Sequence, residues 1–415
     1  MRSSLGRFEG IPAMKVAFVI PWYGEGLMGG AERLCKMTAE NLRKRGLDVE
    51  VLTTCSKEFM SDWTNFYQEG LYEINGVPVR RFPVNPRNRK LFDEINLKLM
   101  NSIPISSDEE EDFIENSINS DALCEYIAKH KSQYVFFFIP YMFGTTYFGL
   151  QVCPERSFLI PCLHNESYAY LSIFKRMFEA ARGILFLSEP ERELALRIFN
   201  LDKSRLSVVG AGIDINISSN PDRFRRKFGI EENFILYVGR KDPTKNTPLL
   251  IDFFCKYVEL GHKELKLVLN GPGYISIPSH YKDYIIDLKP VSGQDKYDGY
   301  AAALVTCQPS IHESFSMVIM ESWVCGTPVL VHGDCDVTKY HCIKSNGGLY
   351  FHNFDEFEQC LDFYINNPHA RMKMAENGRK YVMRNYGWDA VIEKYMKLLE
   401  DFAGEWILKE SGDRV

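Results

Sequence analysis

The 415-residue sequence lacks several features that would assign it to a specialised class of protein. Its longest apolar run, Tyr134–Gly144, has about half of the roughly 20 residues that a membrane-spanning helix needs. Basic residues are not in excess, because the sequence has 49 Lys and Arg but 55 Asp and Glu. This balance argues against a nucleic-acid-binding protein. Short repeats and low-complexity stretches are also missing. What remains is the composition of an ordinary globular protein, with 45% hydrophobic residues.

Cysteine pairs of the metal-binding or redox type are missing as well. The 11 cysteines include no C-x-x-C pair, and their odd number fits reduced, mostly buried thiols better than a disulfide framework. We therefore expect a cytoplasmic protein. Residues 1–13 lack the apolar stretch of a secretory signal, and we expect an unstructured leader there.

Apolar strands that alternate with amphipathic segments indicate an α/β protein. Residues 16–20 form a continuous apolar run, typical of a strand covered on both faces. A glycine-containing break follows, then a helical pattern over Ala31–Arg45 and a strand over Val49–Thr53, which together make a β-α-β unit. Further strands are predicted at Tyr134–Ile139, Phe158–Leu163, Ile184–Leu187, Leu206–Val209, Phe234–Val238, Leu265–Leu269, Ile285–Leu288, Leu304–Thr306 and Val329–Val331.

The polar stretch Ser218–Pro221 interrupts this alternation and predicts a linker between two Rossmann-like domains. We place the N-terminal domain at 14–215, the C-terminal domain at 216–387 and a final helix at 388–410. Within the first domain, the charged segment Pro83–Asp112 predicts an excursion from the sheet, either a solvated loop or helix face or a patch for an acceptor or membrane surface.

Two glycine-containing loops after predicted strands are candidates for anion binding. Gly29 and Gly30 precede a helix, where backbone N–H groups and the helix dipole can face an anion, although such glycines also occur in simple turns. Arg240 and Lys245 lie five residues apart in the loop Gly239–Asn246, and this pair suits a diphosphate unless solvent alone covers it.

A pair of glutamates eight residues apart, Glu313 and Glu321, forms the most specific motif. If a helix begins near Ser316, Glu313 lies in the loop before it and Glu321 lies within it. Both carboxylates can then accept hydrogen bonds from the hydroxyls of a ligand at the helix N-terminus. Asp334 and Asp336 have the D-x-D form of some metal sites, but two carboxylates make a sparse site for a hard cation, and we predict no metal.

Five motifs in this order resemble those of the retaining family-4 glycosyltransferases, which have the GT-B fold. They are GGAE at 29–32, GAGID at 210–214, GRKDPTKN at 239–246, the E-x7-E segment with the GTPV that follows it, and SNGGLY at 345–350. The resemblance implies two facing Rossmann-like α/β/α domains and a C-terminal helix that crosses back to the first. It also implies that the first domain binds the acceptor and that the second domain holds most of a UDP- or GDP-linked sugar donor.

The resemblance assigns a role to each motif. Glu321 would hold the ribose hydroxyls, Glu313 the hydroxyls of the transferred sugar, and Arg240 with Lys245 the diphosphate. His164 would lie beside the reacting sugar, unless it is a structural histidine. The other implied donor-binding positions are Gly29, Gly30, Gly271, Ser314, Phe315, Ser316, Met317 and Val318. The commoner family pattern after the first glutamate is Gly-Phe-Gly, so the two serines here leave the identity of the sugar open.

The implied activity is retaining, metal-independent transfer of a hexose to a glycan or lipid-linked glycan acceptor. The resemblance places it in surface polysaccharide biosynthesis such as that of O-antigen, at the cytoplasmic membrane face, with weak membrane association and no cofactor or nucleic acid. The same fold also hosts nucleotide-sugar epimerases, phosphorylases and non-catalytic sugar-nucleotide-binding proteins, which stay open as alternatives. A dehydrogenase is disfavoured because no strand is followed by G-x-G-x-x-G.

Overall fold

The computed structural model describes residues 14–26 and 29–412, with side chains through residue 405, so the predicted leader at 1–13 lies outside the described residues. The chain forms two compact units. One is built from residues up to Gly212 together with those from Val391 onward, and the other from Ile213–Ala390. Within the described residues, no helix is both long and apolar enough to cross a membrane. All 11 cysteines are unpaired, and most are buried.

The first unit contains one sheet of eight strands. They are β1 (Lys15–Ile20), β2 (Val49–Thr54), β3 (Gly70–Ile74), β4 (Val77–Phe82), β5 (Tyr134–Phe138), β6 (Ser157–Leu159), β7 (Gly183–Phe186) and β8 (Leu206–Val208). Their order is β3-β4-β2-β1-β5-β6-β7-β8. β3 pairs antiparallel with β4, and the other neighbours are parallel. The central strands β2 and β5 are fully buried, as their apolar sequences predict.

Among the residues that the structure describes, seven helices of the first unit precede the linker. They are α1 (Gly30–Lys44), α2 (Arg89–Met100), α3 (Ser107–Glu115), α4 (Asp121–His130), α5 (Gly144–Val152), α6 (Ser172–Ala180) and α7 (Glu189–Ile198). The buried residues of α1 recur at helical spacing and include Leu34, Cys35, Ala39 and Leu42, so one face of the helix packs on the sheet.

The second unit contains a six-stranded parallel sheet. Its strands are β9 (Asn233–Val238), β10 (Leu265–Asn270), β11 (Ile285–Leu288), β12 (Val305–Gln308), β13 (Val329–His332) and β14 (Gly348–Phe351), in the order β11-β10-β9-β12-β13-β14. Its helices are α8 (Pro221–Phe228), α9 (Thr247–Glu259), α10 (Gly293–Ala302), α11 (Met317–Val324), α12 (Asp336–Ser345), α13 (Phe354–Asn366) and α14 (Pro368–Asn385). Two Rossmann-like sheets in one chain confirm the predicted fold class.

The last helix, α15 (Trp388–Gly412), packs on the sheet of the first unit. The ring centroids of Tyr395 and Phe137 are 5.7 Å apart, as are those of Phe402 and Phe158. Lys394 Nζ donates to the Val209 carbonyl at 3.0 Å. The chain therefore returns to the first unit after the second is complete, which confirms the predicted crossing helix.

The structure differs from the predicted strands in two respects. The hairpin β3–β4 and the edge strand β14 were not predicted. β6 ends at Leu159 rather than at Leu163, because Pro161 has no N–H to donate and Cys162 has a left-handed φ of 53°.

The charged segment Pro83–Asp112 does leave the sheet, and it contains α2 and the start of α3 with charged residues such as Lys90 exposed, which agrees with the predicted solvated helix face. Phe92 of α2 stacks on Phe113 of α3 at 5.0 Å in the hydrophobic core.

A buried carboxylate fixes two loops at the carboxyl edge of the first sheet. Glu191 is 1% exposed, and its oxygens accept hydrogen bonds from the backbone N–H groups of Leu163 at 2.7 Å and Leu187 at 2.6 Å. Burial raises the pKa of Glu191 from 4.5 to about 8, against the opposite effect of these N–H donors. The side chain thus holds the loop that carries His164.

We predict that Glu191→Gln lowers the free energy of unfolding by about 1–3 kcal/mol at acidic pH, because the amide NH₂ faces a backbone N–H. The folded-state pKa of Glu191 exceeds the unfolded value, so the native carboxyl stabilises the fold below pH 4.5 and loses this contribution as pH rises to about 8. The difference in the free energy of unfolding between wild type and Glu191→Gln, measured by urea denaturation, should therefore become smaller as the pH rises from 4.5 to about 8.

The matched control is Glu193→Gln, which changes an exposed glutamate on the same helix and should give no pH-dependent gap. A gap that stayed constant or widened with pH would show that Glu191 is ionised throughout.

Candidate functional site

The predicted residues of the second unit lie on loops that leave the carboxyl ends of its parallel strands. Gly239–Asn246 follows β9, Gly271 follows β10, and the segment 309–316 links β12 to α11. β9 lies between β10 and β12 in the sheet, so these three loops are neighbours. Ligands of open α/β sheets bind at this edge.

Two of these loops touch backbone to backbone. Gly239 donates its N–H to the Asn270 carbonyl at 3.0 Å. Gly271 has a φ of 151°, and a Cβ at this position would lie 1.9 Å from the Gly239 carbonyl oxygen. A side chain at residue 271 would therefore push the β9 loop out of place, whereas the donor contact predicted for Gly271 stays a prediction.

The Gly239–Asn246 loop is organised by Asp242. Its carboxylate accepts from the Lys245 backbone N–H at 3.1 Å and from the Thr244 hydroxyl at 2.5 Å. Arg240 Nε lies 3.4 Å from the same carboxylate, and the Arg240 side chain is 43% exposed. The guanidinium is therefore held at the loop surface, where most of its donors face solvent.

The second predicted cation contacts the first glutamate of the E-x7-E motif directly. Lys245 Nζ lies 2.8 Å from Glu313 Oε1, and the Glu313 side chain is 11% exposed. This ion pair joins the β9 loop to the β12–α11 loop. The sequence assigned one residue to a diphosphate and the other to a sugar, and the structure brings the two side chains together.

The second glutamate of the motif is buried in α11 and bonded to α10. Lys296 Nζ lies 3.0 Å from Glu321 Oε1 and 2.9 Å from Glu321 Oε2, and the Tyr300 hydroxyl donates to Oε2 at 3.2 Å. The Glu321 side chain is 2% exposed. These two partners therefore fix the Glu321 carboxylate between α10 and α11.

The helix that carries Glu321 begins where the sequence predicted. Ser316 precedes Met317, the first residue of α11, and its φ of 66° and ψ of 76° are in the left-handed region. This conformation costs a non-glycine residue about 1–2 kcal/mol. Ser316 is 6% exposed, and its hydroxyl has no hydrogen-bond partner among the described residues. Strain and an unpaired buried hydroxyl coincide at one residue of the helix N-terminus.

The loop around Ser316 is held from below by aromatic side chains. Phe315 packs edge-on against Tyr386 at 4.9 Å and His341 at 5.5 Å. Burial lowers the pKa of His341 to about 3, so this ring stays neutral.

Ser314 is also buried, and Val318 packs against a hydrophobic core cluster of the second unit. The Gln308 side-chain oxygen, at the end of β12, is a second buried acceptor without a described partner.

The predicted residues of the first unit lie at the carboxyl edge of its own sheet. Gly29 caps α1 and Gly30 is the first residue of that helix. The Glu32 carboxylate lies over Gly29 and accepts a hydrogen bond from the indole of Trp22. The N-terminus of α1 thus already has an acidic side chain beside it.

His164 follows β6 on the loop that Glu191 holds. Its Nδ1 lies 3.4 Å from Glu166 Oε1, and its side chain is 29% exposed. The ring is accessible, and the nearby carboxylate can orient it, which is the arrangement that a functional histidine needs.

The sequence analysis did not identify two lysines that lie beside the predicted site residues of the second unit. Lys296 pairs with Glu321, and Lys241 is 4% exposed and pairs with Asp287 at 2.5 Å. The partners are 25 and 46 residues apart in sequence, and the pairs form only when α10 packs beside α11 and the loop after β9 reaches β11. A possible signal for Lys241 was its position in the GRKDPTKN motif.

One group of three potential metal ligands occurs in the described part of the chain, and it does not include Asp334 or Asp336. It consists of His262, Glu358 and Asp362. His262 Nε2 lies 3.4 Å from Glu358, whereas His262 Nδ1 lies 3.9 Å from Asp362. The two ring nitrogens face different carboxylates, so the ring bridges them rather than offering one nitrogen to a shared ion.

A family model described as "Glycosyl transferases group 1" matches residues 220–381. A D-inositol 3-phosphate glycosyltransferase from Kribbella flavida is 26% identical over 56% of this chain, and the match spans 60% of that relative's length. An uncharacterized glycosyltransferase from Methanocaldococcus jannaschii is also 26% identical, over 92% of this chain and 96% of its own.

Solved structures match nearly the whole chain. Sucrose-phosphate synthase from Thermosynechococcus elongatus has a TM-score of 0.70 at 16% identity and covers 94% of this chain and 100% of its own. Anabaena HepE in complex with UDP-glucose has a TM-score of 0.67 at 14% identity, with the same coverage. WaaG, a glycosyltransferase involved in lipopolysaccharide biosynthesis, has a TM-score of 0.66 and covers 92% of this chain. The fold is therefore that of the GT-B glycosyltransferases, and the second unit is similar in sequence to the group 1 glycosyl transferases.

Proposed function

We propose that this protein is a retaining glycosyltransferase that moves a hexose from a nucleotide sugar to a glycan or lipid-linked glycan. The acceptor belongs to surface polysaccharide biosynthesis, such as that of O-antigen, at the cytoplasmic face of the membrane. The observation that carries the proposal is the Lys245–Glu313 ion pair beside the N-terminus of α11, the helix that also carries Glu321. Opposite charges and a helix N-terminus at one sheet edge suit a diphosphate linked to a polyhydroxylated ring.

We favour a uridine donor because the structural neighbour HepE was crystallised with UDP and with UDP-glucose. A GDP-linked donor is the alternative. In either case the diphosphate binds the α11 N-terminus, Arg240 and Lys245. Lys245 then shares its charge between the phosphate and Glu313, which frees one Glu313 oxygen for the sugar hydroxyls. Glu321, fixed by Lys296 and Tyr300, accepts hydrogen bonds from the ribose hydroxyls.

The reaction breaks the bond between the sugar C1 and the phosphate oxygen, and a bond forms between C1 and an acceptor hydroxyl on the same face. The hydroxyl proton goes to the departing phosphate. The chain contributes electrostatic stabilisation of the charge that develops on the diphosphate, through Arg240, Lys245 and the backbone N–H groups of α11. It also contributes the fixed orientation of the donor.

The buried Ser316 hydroxyl is the further contact that we assign to the donor sugar. The residue bears both a left-handed backbone and an unpaired buried polar group in the free protein. Backbone strain and unpaired buried polar groups are destabilising, and they persist at functional sites when a contact with the ligand compensates for them. A hydrogen bond to a sugar hydroxyl is such a contact, and glycine could not provide it.

The proposal is tested by calorimetric titration of UDP and of UDP-glucose into two variants. Glu321→Gln should weaken both ligands by about 10- to 100-fold, because it removes a charged acceptor from the ribose. Glu313→Gln should leave UDP binding unchanged or tighter, because Lys245 loses its competing anion. It should weaken only UDP-glucose. Equal loss of UDP affinity in both variants, or no binding of UDP or GDP to the wild type, would contradict the proposal.

Two substitutions at residue 316 separate the hydroxyl from the backbone. Ser316→Ala keeps the left-handed strain and removes the hydroxyl, whereas Ser316→Gly removes both. Both variants should bind UDP-glucose up to about tenfold more weakly, with UDP unaffected, because a neutral hydrogen bond contributes about 0.5–1.5 kcal/mol. Thermal unfolding should show higher stability for the glycine variant than for the alanine variant. Unchanged UDP-glucose affinity in Ser316→Ala would exclude the hydroxyl contact.

We also propose that transfer needs no metal ion. Sugar transfer or donor hydrolysis by the wild type should persist in excess EDTA, and Asp334→Asn with Asp336→Asn should retain most of the activity. Arg240, Lys245 and the α11 N-terminus supply the positive charge that a cation would otherwise bring. Loss of activity in EDTA that manganese or magnesium restores would refute this part of the proposal.

A further inference from the structure

Four aromatic side chains meet at the centre of the carboxyl edge of the first sheet. Trp22 follows β1, Phe59 and Trp63 lie on the loop after β2, and Phe143 precedes α5 on the loop after β5. β1 has β2 on one side and β5 on the other, so the order in which the chain adds strands reverses at this point. In open α/β sheets, ligands bind outside the strand ends at such a reversal.

The four rings form one cluster, which we call the aromatic platform. The Trp22 ring lies 4.9 Å from Phe143, 5.7 Å from Phe59 and 5.9 Å from Trp63. Trp22, Trp63 and Phe143 are at most 7% exposed, whereas Phe59 is 44% exposed. Three buried rings therefore support one half-exposed ring from beneath.

The loop that presents Phe59 is held in a strained conformation. Trp63 has a φ of 53°, which is rare for a bulky residue, and its indole N–H donates to the Phe59 carbonyl at 2.8 Å. The Ser61 hydroxyl donates to the neighbouring Glu58 carbonyl at 2.6 Å. A strained backbone at Trp63 therefore accompanies the fixed position of the exposed Phe59 ring at the carboxyl edge of the sheet. Strained residues of this kind cluster at functional sites.

The charges around the platform distinguish between possible ligands. Lys57 pairs with Glu58 at 3.2 Å, and Arg89 pairs with Asp62. The Arg87 guanidinium lies 4.5 Å from the centre of the Trp63 ring and donates to the Asn116 carbonyl at 3.1 Å, so each of these cations is held by a partner within the protein. An anionic membrane surface attracts a surplus of basic residues, which this loop does not have. An apolar ring with paired polar groups at its rim suits an uncharged ligand that has one apolar face and many hydroxyls.

We propose that the aromatic platform binds a sugar ring of the acceptor, stacked through its C–H face on Phe59. The electron-rich face of an aromatic ring attracts the partly positive C–H hydrogens of a sugar, and the rim groups hydrogen-bond to the hydroxyls. Glu32, which accepts from Trp22 and lies in the first turn of α1, adds a carboxylate next to the platform. This inference rests on the proposed function, because it assigns the acceptor of that reaction to the first unit.

The test is saturation-transfer NMR with three probes: methyl α-D-glucopyranoside, methyl α-D-mannopyranoside and methyl N-acetyl-β-D-glucosaminide. At least one should receive saturation from the wild type, strongest at the ring C–H groups of one face. Phe59→Tyr should retain this signal. Phe59→Ala and Phe59→Leu should lower the affinity about tenfold, because leucine keeps the apolar surface but not the ring face.

The matched control is Phe66→Ala, which removes the other exposed phenylalanine of the same loop and should not change the signal. UDP titration of the same variants shows whether the donor site is intact. If the wild type binds a glycoside but no nucleotide, the result contradicts the proposed glycosyltransferase function but still supports sugar binding by the aromatic platform.

Two outcomes would overturn the platform itself. One is that no glycoside receives saturation from the wild type, or that Phe59→Leu binds as well as the wild type. The other is that phosphatidylserine vesicles bind the wild type and Phe59→Leu but not Phe59→Ala, with no glycoside signal. That pattern would assign Phe59 to membrane contact.

Discussion

In both sheets, the strands that precede candidate site residues run in one direction, so their connections to the next helices leave from a single edge. Parallel pairing therefore brings together side chains that are far apart in sequence. It places Lys245 against Glu313 in the second unit and Trp22 against Phe143 in the first. Antiparallel strands would send alternate connections to opposite edges, and neither group could form from these loops.

The second principle is charge compensation at the carboxyl edge of the second sheet. Lys245, Lys296 and Lys241 each pair with a carboxylate, so the cations are ordered before any ligand arrives. Removing either partner of a buried pair is costly, which keeps these side chains in place. An anionic ligand gains affinity by exchanging partners with an ordered lysine, rather than by ordering a mobile one, and the entropy lost on binding is correspondingly small.

The sequence predicted those parts that depend on local pattern. Strands such as β1 and β9 are continuous apolar runs, and the start of α11 follows from the residues beside Glu313. The hairpin β3–β4 was missed although Asn75-Gly76 is a strong turn signal, because its strands are short and partly polar. The Lys296–Glu321 pair and the aromatic platform could not be predicted, because their members come from separate elements and only the sheet order makes them neighbours.

The position of α15 has a consequence for synthesis on the ribosome. All of the second unit lies between Gly212 and Val391, so it is translated before the part of α15 that completes the first unit. Until Tyr395 and Phe402 emerge, the rings of Phe137 and Phe158 lack the aromatic partners that cover them in the finished protein. The unit that is translated first is therefore the last to complete its core, and a nascent chain that stalls near its end exposes apolar surface that chaperones recognise.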